Sequence, residues 1–220
     1  MPTLEYPVTL TIELLSETTF SRGEGTAGVV DVEIDHDDVG LPRIGGKVVH
    51  GLLRDAWLSM ARHFPTMLAG AAPRVLGPIG DLAETSILRI GDAQLPEDVR
   101  QWARFAVERK DHPLSPEQVL STLTDIRRQT AQSRITGSPE ATTLRSSRVA
   151  LRTLRFEAFE AALTWLKPPG INEIWVLALS ALGVRHGGLG RNRGRGFLRV
   201  TLNNDLAKTQ RWARLQGAPR

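Results

Sequence analysis

The chain has 220 residues, 41 % of them hydrophobic, and no cysteine. That length holds one domain with a real core, or one domain with a large insertion. The composition excludes disulfides and thiolate metal sites, and no apolar run approaches the roughly 20 residues that span a bilayer. Residues 1–6 lack a signal-peptide layout, so the expectation is a cytoplasmic protein without membrane association. The formal net charge is only +4, but 24 of the 28 basic residues are arginine. Arginine-favouring codons can produce that bias; they do not produce clustering. Residues 127–155 hold seven arginines and one acid, Glu140. Between Glu173 and Asp205 there are five arginines and no acid. Acids gather instead at Asp31, Glu33, Asp35, Asp37 and Asp38. Segregated basic surface points to a polyanion partner, and the planar guanidinium suits phosphates and stacked bases.

Residues 6–15 (YPVTLTIELL) alternate apolar and polar side chains, which predicts a strand. Residues 16–40 read as an irregular loop with a short extended piece at 28–34. Residues 47–64 place Val48, Leu52, Leu53, Ala56, Trp57 and Met60 at helical spacing, entered through Gly45 and Gly46. Residues 65–84 read as loop, and 86–95 (SILRIGDAQL) as a second strand. Residues 96–133 are polar and broken by Pro113 and Pro116, which predicts short inserted helices outside the core, followed by a mobile loop at 134–143. A third strand fits best at 154–162. Residues 171–183 (INEIWVLALSALG) predict an apolar helix, 197–202 a last strand, and the basic tail 203–220 a helical turn or more. Trp57, Trp165 and Trp175 fall on apolar positions and are expected in the core.

The order is that of a βαββαβ fold of the α+β class, ferredoxin-like or RRM-like, with a helical and loop insertion at 96–147 inside one domain. Such a sheet leaves one face free, which RNA modules often use.

Two glycine-bearing motifs stand out. Residues 186–200 (HGGLGRNRGRGFLRV) hold five glycines within eleven residues, interleaved with Arg191, Arg193 and Arg195. Glycine allows close backbone approach, and exposed N–H groups with arginines favour phosphate. A flexible turn between helix and strand is the plainer alternative. No Gly-Lys-Ser/Thr follows, so this is not a Walker loop, and the glycines precede a strand, which fits a dinucleotide fingerprint poorly. Residues 40–54 (GLPRIGGKVVHGLLR) lead into a helix whose N-terminus can hold an anion, or simply make a tight packing turn.

Together these motifs resemble the RAMP superfamily of CRISPR-associated RNA-binding proteins. That superfamily commonly has G-L-P-Y-I-P-G-S-S-L-K-G-x-x-R after its first strand. Here Gly40, Leu41, Pro42, Ile44, Gly46, Gly51 and Arg54 stand in that register. It also has a glycine-rich loop of the form G-G-x-x-x-R-G-x-G-x-V, similar to the stretch through Gly194, Gly196 and Val200. Residues 28–37 (GVVDVEIDHD) are similar to the loop G-G-V-D-x-x-V-x-x-D of the repeated target-RNA-cleaving backbone subunit of type III effector complexes. Residues 88–95 and 143–156 look like that subunit's second strand and arginine-bearing segment. Gly45 replaces the motif's proline, Lys47 and Val48 its serine pair, and His50 its RNA-contacting lysine.

The resemblance implies the following. The fold is ferredoxin-like. The protein binds guide RNA (crRNA) as a backbone subunit beside other copies of itself and other CRISPR effector subunits, and cleaves target RNA as an endoribonuclease active only in the assembled complex. A loop presses between bases and displaces a target nucleotide. Asp31 is the catalytic residue and Asp37 a possible second acid. Asp31 positions the ribose 2′-OH, accepts its proton, or helps hold a divalent metal, Mg²⁺ or Mn²⁺. Lys47, His50, Arg54, Arg145, Arg148, Gly188, Arg191, Arg193 and Arg195 bind RNA. Two alternatives stay open: a non-catalytic scaffold subunit, and a guide-processing endonuclease using His36 or His50 without metal. The acidic loop can equally be a solvated surface or a contact for a neighbouring subunit's arginines.

Overall fold

A computed structural model describes residues 4–64, 66–78, 86–140, 143–151 and 158–214. In chain order the elements are β1 (Thr9–Leu14), α1 (Gly46–Met60), α2 (Thr66–Leu76), β2 (Leu88–Ile90), α3 (Glu97–Glu108), α4 (Pro116–Leu123), β3 (Thr124–Gln129), β4 (Arg145–Ala150), β5 (Ala158–Trp165), α5 (Ile171–Gly183), β6 (Leu198–Leu202) and α6 (Leu206–Trp212). Alternation in β1 turns Leu10, Ile12 and Leu14 inward and leaves Thr9, Thr11 and Glu13 on the other face. β1 pairs antiparallel with β5 on one side and β6 on the other, giving the sheet order β2-β5-β1-β6. This is the expected βαββαβ arrangement. β2 is regular over only three residues, but its pairing with β5 resumes where Gln94 bridges to Glu160.

One core cluster joins the inner sheet face to both long helices. Leu10, Ile12, Phe159, Ala161 and Val200 meet Val49, Leu53 and Trp57 of α1 and Val176, Leu177 and Ala181 of α5. α5 is apolar nearly all round because α1, α2 and the sheet all cover it. Trp57 and Trp175 are buried as expected, and Trp165 is half-buried with its indole N–H donated to the Pro7 carbonyl at 2.7 Å.

Three expectations are corrected. The predicted loop at 65–84 contains α2, which buries Leu68, Val75 and Leu76. Pro73 inside that helix masks it in the sequence; its missing N–H costs about 3 kcal/mol, which burial against α5 offsets. The insertion is not outside the core. Ala103 of α3 and Val119 and Leu120 of α4 belong to the main cluster, and Thr124–Gln129, expected among the short helices, is instead strand β3, paired with β4 in a two-stranded ribbon. The predicted third strand begins later: β5 covers 158–165, and residues 154–157 lie outside the described ones. The loop at 16–44 is irregular, tied by isolated bridges such as Val32 to Ser147 and Thr18 to Ala150 and by Phe20, Ile34, Val39, Leu41 and Ile44 in the core.

Candidate nucleic-acid interface

The glycine-rich loop is an ordered hairpin between α5 and β6. Gly190 and Gly194 take left-handed backbone on either side of a short 3-10 turn, Arg191–Arg193. That turn points its arginines outward, and Arg191 and Arg193 are exposed. Gly188 has no room for a side chain: a Cβ there would lie 2.4 Å from the Thr18 hydroxyl. The loop is stapled to residues 17–19 by Leu189 N–H to the Thr19 carbonyl (2.9 Å) and Gly196 N–H to the Glu17 carbonyl (2.9 Å).

Facing this loop is the β3–β4 ribbon. Glu17 pairs with Arg127, and Arg193 Nη1 donates to Gln129 Oε1 at 3.2 Å, so both ends of the contact are fixed. Between loop and ribbon runs a cleft of about 500 Å³ lined by Arg145, Ser146, Gly188, Arg191, Arg193 and Arg195 among others. Five residues expected to bind RNA therefore meet in one place, although they come from segments 40 residues apart and more in sequence. A second hollow of about 840 Å³ continues from it along Gln129, Arg145 and Arg193 to Arg134 and Ile135. Glu140 is the one acid in either lining.

Asp31 is not in the lining of this cleft but bonds to Ser146, which is. Its Oδ2 accepts the Ser146 N–H at 2.6 Å and the Ser146 hydroxyl at 2.9 Å, while its own N–H donates to Ser146 Oγ at 3.0 Å. The Ser146 backbone N–H and then its hydroxyl, helped by the charge of Arg145, hold the Asp31 carboxyl below the usual carboxylate range. The side chain is exposed and ionised, with Oδ1 free among the described residues.

Asp37 does not join it. Its Oδ1 accepts the Val39 and Leu41 N–H groups at 3.1 and 2.8 Å, which shapes the turn carrying Gly40 and Leu41. His36 Nδ1 donates to the Asp37 carbonyl at 2.8 Å, leaving Nε2 to accept from Arg22 at 3.4 Å. Arg148, expected at the RNA surface, is 3 % exposed. It donates to Glu33 and Glu117, each at 2.8 Å, and so locks the acidic loop to β4 and α4.

Lys47, His50 and Arg54 share one face of α1, spaced three and four residues apart, and none lines the cleft. The helix entrance is not an open anion site: the Gly46 N–H already donates to Asp92 Oδ1 at 2.8 Å. Arg54 donates to the Pro78 carbonyl at 2.6 Å, just beyond the end of α2. Lys47 is exposed. Burial, then the neighbouring Arg54 charge, holds His50 below its ordinary value of 6.5 against an opposing hydrogen bond to the Leu76 backbone. His50 is therefore neutral at pH 7 and does not reproduce a lysine's charge. The unfolded chain binds that proton more readily, so this site's contribution to stability is complete above pH 6.5 and is lost as pH falls below it. His50→Gln is expected to flatten the fall in Tm between pH 7 and pH 5; an unchanged slope would remove His50 as its cause.

The sequence reading missed Ser146, Gln129 and Asp92. Each acts through a partner distant in the chain, so no local pattern marks it. Among the described residues no group of three or more His, Asp or Glu side chains could hold a metal ion. No described helix is long and apolar enough to cross a membrane.

No family model matches the chain, and no curated protein matches it in sequence. Solved structures do share its fold. One is a chain in the cryo-EM structure of the type III-B Cmr-beta bound to cognate target RNA; another is from the type III-B Cmr-beta in its apo state. Each aligns with a TM-score of 0.64 over 91 % of this chain and 98 % of the other, at 11 % identity. The likeness is one of fold, and it agrees with the βαββαβ arrangement expected from the sequence.

Proposed function

We propose that this chain is a guide-RNA-binding backbone subunit of a type III CRISPR effector complex and that it cleaves target RNA there through Asp31. The observation that carries the reading is the basic cleft, with Ser146 of its lining bonded to Asp31. The RAMP-like fold, shared with a Cmr-beta chain solved with target RNA, supports the same partner class.

Arg145, Arg191, Arg193 and Arg195 bind backbone phosphates, while Gly188, whose missing side chain makes room for Thr18 and Thr19, seats the loop that carries three of them. The ribbon ends in a turn where Ile135 is 96 % exposed; this apolar side chain is the wedge that enters between bases. Asp31 accepts a hydrogen bond from the ribose 2′-hydroxyl of the displaced target nucleotide and orients that oxygen toward the adjacent phosphorus. Attack forms a 2′,3′-cyclic phosphate and breaks the bond to the 5′ oxygen; the 2′-hydroxyl proton passes to solvent water, and water protonates the departing 5′ oxygen. A carboxylate held below its usual range is a weak base, so Asp31 positions the hydroxyl rather than storing its proton. The protein offers a divalent ion one free carboxylate oxygen, which suits Mg²⁺ or Mn²⁺ only where RNA oxygens complete the shell. When bound, such an ion supplies positive charge to the phosphoryl group.

Nucleic acid extracted from purified protein is expected to be RNA of narrow length distribution. Protein that purifies free of RNA and binds none when offered a guide would overturn the reading. Arg191→Ala with Arg193→Ala is expected to weaken single-stranded RNA binding uniformly across sequences and to reduce the salt slope by roughly 1.4. An unchanged slope would move RNA away from this cleft. The scaffold reading draws on a specific observation, the lack of a three-residue metal cluster among the described residues. It predicts no cleavage by the wild-type complex with Mg²⁺ or Mn²⁺ present.

A further inference from the structure

The outer face of the sheet forms a groove of its own, of about 570 Å³, which shares no lining residue with the basic cleft. Its floor is set by strand register. Thr11 lies across from Glu160 on β5 and Thr201 on β6, and Glu13 lies across from Ala158 and Arg199. Pro96 and Asp98, where α3 begins, form one wall; Asn204 and Leu206, where α6 begins, form the other.

The chemistry of this groove is opposite to that of an RNA platform. No aromatic side chain stands on its floor to stack a base. Glu13 already pairs with Arg199 at 2.8 Å, which leaves Asp98 and Glu160 as carboxylates without a side-chain partner among the described residues. Thr11 adds an independent observation. It is 3 % exposed, it lines the groove, and its hydroxyl has no hydrogen-bond partner. An orphaned buried hydroxyl is unfavourable by about 1–3 kcal/mol until something donates to it or accepts from it.

We infer that this groove docks an extended protein segment bearing arginine or lysine. The cationic side chains meet Asp98 and Glu160, and a polar group of the segment satisfies Thr11. Phosphate is repelled by the same two carboxylates, so the sheet face expected to be open to RNA serves a protein partner instead. The inference does not depend on cleavage at Asp31.

The probe is a short fluorescein-labelled peptide in which arginine and threonine alternate, with a glutamate–threonine peptide as control, added to the full chain. The arginine peptide is expected to bind with salt-sensitive affinity and the control not to bind. Asp98→Lys with Glu160→Lys is expected to weaken the arginine peptide about tenfold or more, with unchanged Tm and with binding of labelled single-stranded RNA no weaker than in the unaltered chain. Thr11→Val keeps the shape and is expected to weaken the peptide without altering the salt dependence. Equal binding of the two peptides, or undiminished binding by the charge-reversed variant, would overturn the inference. Failure of the RNA reading is registered separately, by the Arg191 and Arg193 variant.

Discussion

Target-RNA cleavage by the assembled complex is expected to fall by roughly a thousandfold when Asp31 is replaced by alanine, with guide and target binding unchanged. Asp31 is exposed and its contacts are confined to Ser146, so its loss removes no buried partner and no phosphate-binding cation. Water can satisfy the released Ser146 N–H, and the fold is not at risk. Asp31→Asn keeps an oxygen facing Ser146 but removes the charge, so it separates positioning from electrostatics; its cleavage should lie between alanine and wild type. The pH profile adds a second check. Because Ser146 and Arg145 hold the carboxyl below 3.8, its ordinary value, the ionised form persists as pH falls. Cleavage should therefore show no acid limb from this residue above that value. Undiminished cleavage by the alanine variant would sink the assignment, and wild-type inactivity with Mg²⁺ or Mn²⁺ would leave the scaffold role in its place.

Much of the fold was readable because it rests on local periodicity. The alternation in residues 6–15 and the apolar run 171–183 each specify one element; the structure places β1 at Thr9–Leu14, inside the expected span, and α5 at Ile171–Gly183 as expected. α2 was not readable, because Pro73 contradicts its helix and only contact with α5 stabilises it. The β3–β4 ribbon was also missed. Its residues Thr124–Gln129 and Arg145–Ala150 are largely polar, and their pairing across the ribbon, not an apolar face, makes them strands. At the candidate interface, composition marked Arg191, Arg193 and Arg195, and the structure exposes the first two, leaves the third half-buried and sets all three in one cleft. It could not separate Arg145 from Arg148, two basic residues three apart in one strand. Strand alternation alone puts positions three apart on opposite faces, and so one of these arginines enters the cleft while the other enters the interior.

That burial makes Arg148 the residue whose loss the fold should feel most. Arg148→Ala is expected to destabilise the protein by about 3–5 kcal/mol, because it leaves the Glu33 carboxylate, 1 % exposed, without its cation. Thr26 and the Ile34 N–H, which also donate to Glu33, cannot neutralise it. Glu33→Ala should cost less, because Glu117 still pairs with the guanidinium. The two losses should not add, since each removes the same interaction, and Arg148→Met with Glu33→Leu should recover much of the stability by replacing the pair with apolar volume. Urea midpoints of the four proteins measure this directly. The consequence reaches the interface, because Glu33 lies two residues beyond Asp31 and Arg148 two beyond Ser146: the buried pair sets the register in which Asp31 meets Ser146. Cleavage should therefore be lost in Arg148→Ala even under conditions where the protein remains folded, while RNA affinity changes little. If Arg148→Ala instead left stability within about 1 kcal/mol and weakened RNA binding as Arg191→Ala does, the side chain would belong to the surface after all.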